Sequence, residues 1–125
     1  MTLITGIPNA GKTTYSMRYP NVIHFDFMDG GRHRREKIIN LVQADNSLCV
    51  EGVYCKSADR RKLVEASKEH NTCIWINTPL DVCIDRELNG RNRSVQMVRW
   101  AYERYEPPTY SEGWDEIIII GEQHG

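Results

Sequence analysis

The sequence predicts a three-layer α/β fold, in which helices cover both faces of a mainly parallel sheet of five strands. Three observations predict it. Short apolar segments alternate along the chain with longer polar segments of helical character. The apolar segments contain few polar residues, which is typical of strands buried on both faces of a parallel sheet. The 125 residues suffice for one such sheet and no linker composition divides them, so we predict a single domain over residues 1–125.

The individual elements follow from apolar segments, helical periodicity and breaker residues. The apolar segments predict strands over residues 2–5, 21–25, 47–51, 72–77 and 117–120. Helical character predicts helices over residues 11–18, 32–44, 57–70, 79–88 and 95–105. Gly6 and Gly52 stop the first and third strands, and Pro20 breaks the first helix. Pro79 suits the first position of the fourth helix, and Ser94 is expected to cap the fifth.

Charge and composition exclude several classes of protein. The 16 Lys and Arg residues nearly balance the 17 Asp and Glu residues, giving a net charge of −1, which excludes a globally basic nucleic-acid coat and an acidic disordered tail. No apolar run approaches the ~18 residues that a membrane span needs. The first residues lack the basic start of a signal peptide. We therefore expect a soluble, cytoplasmic protein without a membrane partner.

The four cysteines show no metal-binding or redox spacing. They form no C-x-x-C pair, and no histidine lies at a metal-finger distance from any of them. Cys49 and Cys73 lie inside apolar runs, where cysteine behaves as a small hydrophobic residue. We predict that the cysteines are reduced and structural.

Residues 6–13 match the phosphate-binding pattern G-x-x-x-x-G-K-[S/T]. Glycines at both ends let successive backbone N–H groups converge on phosphate oxygens, and the following helix adds the positive end of its dipole. Lys12 is expected to reach the β- and γ-phosphates, and the Thr13 hydroxyl to bind Mg²⁺. The absence of a guanine-reading N-K-x-D motif favours ATP. The predicted ATP-binding residues here are Gly6, Pro8, Asn9, Ala10, Gly11, Lys12, Thr13 and Thr14.

Acidic residues follow the second and third strands. Asp26 lies just past the second strand, where a carboxylate can accept a proton from an acceptor hydroxyl and direct it at the γ-phosphate. Helix capping or turn formation is the alternative for Asp26. Asp29 precedes two glycines, which favours a turn, with substrate contact as the second possibility. Glu51 ends the third strand and is predicted to organise Mg²⁺; an exposed strand end without a function is its alternative.

The densest basic stretch is residues 32–37. Its clustering in a chain of balanced charge suggests an anionic acceptor, such as a phosphodiester backbone. We predict that Arg32, Arg34 and Arg35 contact the acceptor, while a solvated helix face is the alternative.

A second group of arginines lies at the end of the fourth helix and in the predicted loop over residues 89–93. Arg86 and Arg91 are expected to stabilise the charge that develops on a transferring phosphoryl group, because the planar guanidinium can make paired hydrogen bonds. Arg93 is expected to contact the nucleotide. A charged surface loop is the alternative.

These segments, taken in order, resemble the 5′-kinase domain of polynucleotide kinases and their small P-loop kinase relatives. The C-terminal run YEPPTYSEGWDEI at residues 105–117 is similar to the family pattern (F/Y)E-x-P-T-x-x-EGF. Residues 53–63, which include Arg60 and Arg61, resemble the stretch after the family's third strand. The resemblance covers nearly the whole chain and implies a three-layer P-loop kinase fold with an arginine-bearing lid.

The resemblance also implies residue roles. Asp26 matches the general base, Lys12 and Thr13 the phosphate and metal ligands, and the lid arginines are Arg86 and Arg91. Two departures lie on the acceptor side. Asp29 stands where relatives often have an arginine, and Glu51 stands where they commonly have an aspartate.

The leading functional hypothesis is an ATP-dependent kinase that phosphorylates a hydroxyl of DNA or RNA, most simply a polynucleotide 5′-OH. One alternative acceptor is a hydroxymethylated pyrimidine in DNA, as in viral kinases that resemble the same family; another is a nucleoside or small metabolite. A non-catalytic nucleotide-binding switch is the alternative from another class, and Asp26 argues against it because a switch needs no base. Trp75, Trp100 and Trp114 are expected in the core rather than in a base-stacking platform.

Overall fold

The computed structural model describes residues 1–28, 30–91 and 94–121. Five strands form one sheet in the order β2-β3-β1-β4-β5, and every neighbouring pair is parallel. The strands are β1 (Thr2–Thr5), β2 (Val22–His24), β3 (Cys49–Gly52), β4 (Thr72–Asn77) and β5 (Glu116–Gly121). The predicted α/β fold with a five-stranded sheet is confirmed, and the sheet is parallel throughout rather than mainly so.

The helices are α1 (Lys12–Ser16), α2 (Arg34–Ala44), α3 (Ser57–Ala66), α4 (Leu80–Arg86) and α5 (Val95–Arg104). Helix α5 begins as predicted, because the Ser94 side chain accepts a hydrogen bond from the Met97 backbone N–H. Helix α3 ends earlier than predicted, since Ser67 takes an extended conformation. The chain after α4 does not open directly into the predicted loop. Residues Glu87–Arg91 instead form a π-helical turn that continues the helix.

The core has two layers because successive strand residues point to opposite faces of the sheet. On one face Leu3 lies between Val50 and Cys73 and packs with residues of α2 and α3. On the other face Ile4 and Ile74 pack with residues of α4 and α5. Because all strands are parallel, their carboxyl ends share one edge of the sheet, where ligands bind in open parallel sheets.

The cysteines are free thiols among the residues that the structure describes, as predicted. Cys49, Cys73 and Cys83 are buried in the core. Burial raises the pKa of the Cys49 and Cys73 thiols to about 12. These two side chains are therefore protonated at neutral pH and act as small hydrophobic residues.

The tryptophans do not share one environment. Trp114 is 4% exposed and belongs to the core, as predicted. Trp75 stacks on Tyr105 with ring centroids 5.6 Å apart. The prediction is wrong for Trp100, which is 54% exposed and whose ring lies 4.3 Å from the Arg104 guanidinium. Trp100 falls on the outer side of α5, because Val98 and Ala101 form the buried side.

The C-terminal run that resembles the kinase family forms a buried ion pair with α3. Arg60 is fully buried, and its Nε and Nη2 each donate to one Glu112 carboxylate oxygen at 2.9 Å. Its Nη1 donates to the Tyr54 carbonyl at 2.7 Å, and Nη2 also donates to the Glu106 carbonyl at 2.6 Å. The Trp114 indole N–H donates to Glu112 as well. These contacts hold residues 105–114 against α3. The segment that carries the family resemblance therefore stabilises the fold.

Replacing Arg60 with methionine is expected to lower the free energy of unfolding by about 3–5 kcal/mol, because Glu112 would keep a buried charge without its partner. Urea denaturation followed by tryptophan fluorescence measures the change. Arg61 is the matched control, since it is the exposed neighbour on the same helix. The Arg61→Met variant should stay within about 0.5 kcal/mol of the parent. Equal costs for the two variants would contradict the assigned role of the pair.

The same pair makes stability depend on pH. Burial raises the pKa of Glu112, but the hydrogen bonds from Arg60 and Trp114 outweigh it and hold this pKa below its ordinary value. The contribution to stability is therefore complete above the ordinary pKa of a glutamate, and it is lost as the pH falls through the lowered pKa. Urea denaturation across the acid range should show a smaller loss of stability for Glu112→Gln than for the parent. An identical acid dependence would refute this assignment.

Candidate active site

A cavity of about 660 Å³ runs along the carboxyl ends of the strands. Residues 8–14 of the phosphate-binding loop form its floor, and Asp26, Glu51 and Arg86 reach it from three other segments. The remaining lining residues are Tyr15, Arg18, Phe27, Ile76, Gly90 and Ile120. Most of the predicted site residues that the structure describes thus meet in one place, as the parallel topology requires.

Glycine is required at two positions of the loop for different physical reasons. A Cβ atom on Gly6 would lie 2.7 Å from the Ile76 carbonyl oxygen, so the loop can lie against β4 only without a side chain there. Gly11 has a φ of 104°, in the left-handed region that favours glycine. Asn9 also has a positive φ, of 69°, which asparagine tolerates better than most residues. The loop conformation is therefore encoded in its sequence.

Lys12, Thr13 and Glu51 form the polar centre of the cavity. Lys12 is 6% exposed, and its Nζ donates to the Ile7 carbonyl at 2.9 Å. The Thr13 hydroxyl donates to Glu51 Oε1 at 3.4 Å, and the Glu51 residue is 5% exposed. A hydroxyl and a carboxylate are hard oxygen donors, which suit Mg²⁺.

The metal prediction fits this donor set. The described residues contain no group of three or more His, Cys, Asp and Glu side chains that could hold a metal ion by themselves. A magnesium ion at Thr13 and Glu51 would therefore complete its coordination with phosphate oxygens and water, as Mg²⁺ commonly does in nucleotide sites. Because Glu51 is buried, the alternative that it is an exposed strand end without a function is wrong.

Asp26 follows β2, an edge strand of the sheet, whereas Arg86 ends the helix that follows β4. Asp26 occupies a single 3₁₀ turn, Phe25–Phe27, that follows β2 directly. Its side chain is exposed and lines the cavity. An accessible carboxylate beside the phosphate-binding loop can receive an acceptor hydroxyl. Asp29 lies outside the described residues.

Arg86 reaches back over the phosphate-binding loop from the last position of α4. Its Nη1 donates to the Asn9 carbonyl at 2.8 Å and lies 3.9 Å from the position of a Cβ on Gly11. The guanidinium is thus placed beside the loop that is expected to hold the phosphates. The side chain of Arg91, and the whole of Arg93, lie outside the described part of the chain.

Glu87 connects the π-helical turn to the phosphate-binding loop, a role that the sequence does not predict. This residue is 2% exposed. Its Oε1 accepts from Asn9 Nδ2 at 2.8 Å, and its Oε2 accepts from the Ser94 backbone N–H at 3.1 Å. Glu87 therefore links the phosphate-binding loop, the start of the π-helical turn and the N-terminus of α5. Its sequence neighbourhood is charged, so no pattern distinguishes it from a surface glutamate.

The basic cluster lies beside the cavity rather than in it. The guanidinium carbons of Arg34 and Arg35 lie 5.5 and 5.7 Å from the centre of the Phe25 ring. Arg35 Nε also lies 3.5 Å from the Asp59 carboxylate. Arg32 is exposed on the turn before α2. Among the described residues that line the cavity, none comes from this cluster.

Replacing Arg86 with alanine is expected to lower the turnover of the predicted phosphoryl transfer by ~10²-fold or more, the scale for losing one preorganised charge donor. The Arg86→Lys variant should recover little of the lost turnover, because lysine cannot reproduce the planar guanidinium contact. Steady-state kinetics with saturating ATP measures both variants. Arg104, exposed on α5 and stacked on Trp100, supplies a control arginine outside the cavity. Full activity of the lysine variant would show that charge alone is required.

No protein-family model matches the chain. Among solved structures, a gluconokinase from Sinorhizobium meliloti 1021 has a TM-score of 0.76 at 13% identity, over 99% of this chain and 83% of that protein. The Mycobacterium tuberculosis APS kinase in complex with AMPPNP and APS has a TM-score of 0.60 at 17% identity, over 94% and 87%. Shikimate kinase from Acinetobacter baumannii in complex with shikimate has a TM-score of 0.57 at 17% identity, over 94% and 82%.

These similarities establish the fold. The chain shares its fold, a parallel sheet with a phosphate-binding loop after β1, with these structures. None of the helices in the described ranges is both long and apolar enough to span a bilayer.

Proposed function

We propose that the protein transfers the γ-phosphate of ATP to a hydroxyl group of a small acceptor molecule. The observation that supports this most is the meeting of Lys12, Thr13, Glu51, Asp26 and Arg86 in one cavity. These residues supply the parts that phosphoryl transfer needs: a cradle for the phosphates, a metal site, a base and a counter-charge. A nucleotide-binding switch has no need of a carboxylate on the acceptor side.

The roles follow from position. Backbone N–H groups of the loop and the Lys12 ammonium hold the β- and γ-phosphates, and Arg86 neutralises charge on the transferring group. Thr13 and Glu51 would hold Mg²⁺, which when bound would draw charge from the phosphate oxygens. Asp26 accepts the proton of the acceptor hydroxyl. The hydroxyl oxygen forms a bond to the γ-phosphorus while the bond between the γ-phosphorus and the oxygen that bridges it to the β-phosphate breaks. The products are ADP and a phosphate ester.

The acceptor is proposed to be a small metabolite, in preference to the nucleic acid that the sequence favoured. The similar structures include a gluconokinase, an APS kinase and a shikimate kinase. The side chains of Arg34 and Arg35 contact Phe25 and Asp59, so a role on a phosphodiester backbone has less support.

A nucleic-acid hydroxyl, at a 5′ end or on a hydroxymethylated base, is the second candidate. One observation favours it. Phe27 follows Asp26, lines the cavity and is 74% exposed, so its ring could stack against a base. The resemblance of residues 105–117 to polynucleotide kinases adds less, because Glu106 and Glu112 in this run hold Arg60.

A panel of acceptors tests the proposal. ATP labelled in its γ-phosphate is offered with sugar acids and polyols, nucleosides, 5′-hydroxyl DNA and RNA oligonucleotides, and hydroxymethyl-containing DNA, and the labelled position is mapped. We expect label on a small molecule. Label on oligonucleotides alone would overturn the small-acceptor proposal and favour the second candidate.

A further inference from the structure

We infer that His24 is a positioning residue that holds the Glu51 carboxylate in the orientation that binds Mg²⁺. This inference rests on the proposed function, because it concerns the metal site of that function. The two residues are direct partners in the register of β2 and β3. His24 Nδ1 lies 2.7 Å from Glu51 Oε1, at the carboxyl ends of both strands.

The hydrogen bonds restrain Glu51 on one side only. A carboxylate oxygen is an acceptor, so the histidine nitrogen that faces it must be the donor and Nδ1 carries the proton. The same Oε1 also accepts from the Thr13 hydroxyl, at 3.4 Å. Among the described residues, no hydrogen bond to Oε2 of Glu51 is found. Two donors on Oε1 therefore fix the rotation of the carboxylate and keep its second oxygen available for a metal.

A glutamate needs this restraint more than an aspartate does. Its side chain has one more rotatable bond, so ordering it costs more conformational entropy. A hydrogen-bond donor in register on the neighbouring strand offsets the extra freedom. Outer partners of metal-binding carboxylates typically contribute 10–100-fold to metal affinity.

The imidazole is itself held in place. The ring of Phe27 lies 5.4 Å from the ring of His24 at an angle of 48°, and the His24 side chain is 28% exposed. His24 therefore contacts both Glu51 and Phe27, a residue of the turn that carries Asp26. His24 thus joins the metal side of the cavity to its acceptor side.

Two variants of the full chain test the inference. His24→Leu removes the donor but keeps apolar bulk against Phe27, and His24→Asn keeps an N–H donor on a shorter side chain. ATP binding is measured calorimetrically without metal and over a Mg²⁺ titration at fixed pH. We expect His24→Leu to need 10–100-fold more Mg²⁺ for the half-maximal gain in ATP affinity. Its ATP affinity without metal should stay unchanged, and His24→Asn should recover most of the loss.

The outcomes are distinguishable. A purely structural role would weaken ATP binding equally with and without Mg²⁺, and that result would overturn the inference. An unchanged Mg²⁺ requirement in His24→Leu, or no recovery in a folded His24→Asn, would overturn it as well. Circular dichroism establishes that each variant is folded. Failure of the parent protein to bind ATP would instead overturn the proposed function.

Discussion

The Lys12→Ala variant is expected to lose phosphoryl transfer by about 10³-fold while it remains folded. The Lys12 ammonium is the loop's cation for the β- and γ-phosphates, and the side chain is only 6% exposed within the cavity. Its removal takes one hydrogen bond from the Ile7 carbonyl, which costs the fold about 1 kcal/mol. Transfer of labelled γ-phosphate measures the activity, and urea denaturation measures the stability.

Lys62 supplies the matched control for this experiment. It is an exposed lysine on α3, far in the chain from the phosphate-binding loop. The Lys62→Ala variant should keep both activity and stability, the latter within about 0.5 kcal/mol. Activity of Lys12→Ala near that of Lys62→Ala would contradict the assignment of the phosphate-binding loop.

The Asp26→Asn variant is expected to transfer phosphate ~10²-fold or more slowly, the scale of losing a general base. Asparagine keeps the size of the side chain but removes the charge and the ability to accept the proton. Binding of ATP with Mg²⁺ should be unchanged, because Thr13 and Glu51 hold the metal in the proposed mechanism. Single-turnover kinetics and calorimetric ATP binding separate the two effects.

The comparison for Asp26 is Asp29, whose sequence context before two glycines predicts a turn residue. The Asp29→Asn variant should keep near-parental kinetics. An inactive Asp29→Asn beside an active Asp26→Asn would show that the other carboxylate is the base. A change in ATP affinity alone for Asp26→Asn would place Asp26 in the metal site.

The parts of the fold that the sequence predicts well are those governed by local pattern. Strand β4 occupies residues 72–77 as predicted, because its apolar run ends at polar residues on both sides. The phosphate-binding loop is set by glycines that no other residue replaces easily. Asp26 and Glu51 could be placed near it, since the carboxyl ends of parallel strands share an edge.

Other features depend on tertiary contacts that local pattern does not contain. The π-helical turn after α4 coincides with the hydrogen bond between Asn9 and Glu87, which joins segments far apart in the chain. The pairing of His24 with Glu51 requires knowing that β2 and β3 are neighbours in register. Arg34 and Arg35 have the same sequence pattern whether solvated or packed against an aromatic ring. These contacts appear only once strand order is known.

Acceptor-dependent consumption of ATP tests the central claim most directly. The parent protein and Asp26→Asn are each incubated with ATP and Mg²⁺, alone and with the acceptor panel, and ADP formation is measured. The proposed mechanism predicts that the parent forms ADP only when a hydroxyl acceptor is present, and that Asp26→Asn loses this response. ADP formation that no acceptor changes, or that Asp26→Asn retains in full, would contradict phosphoryl transfer from this cavity to a hydroxyl activated by Asp26.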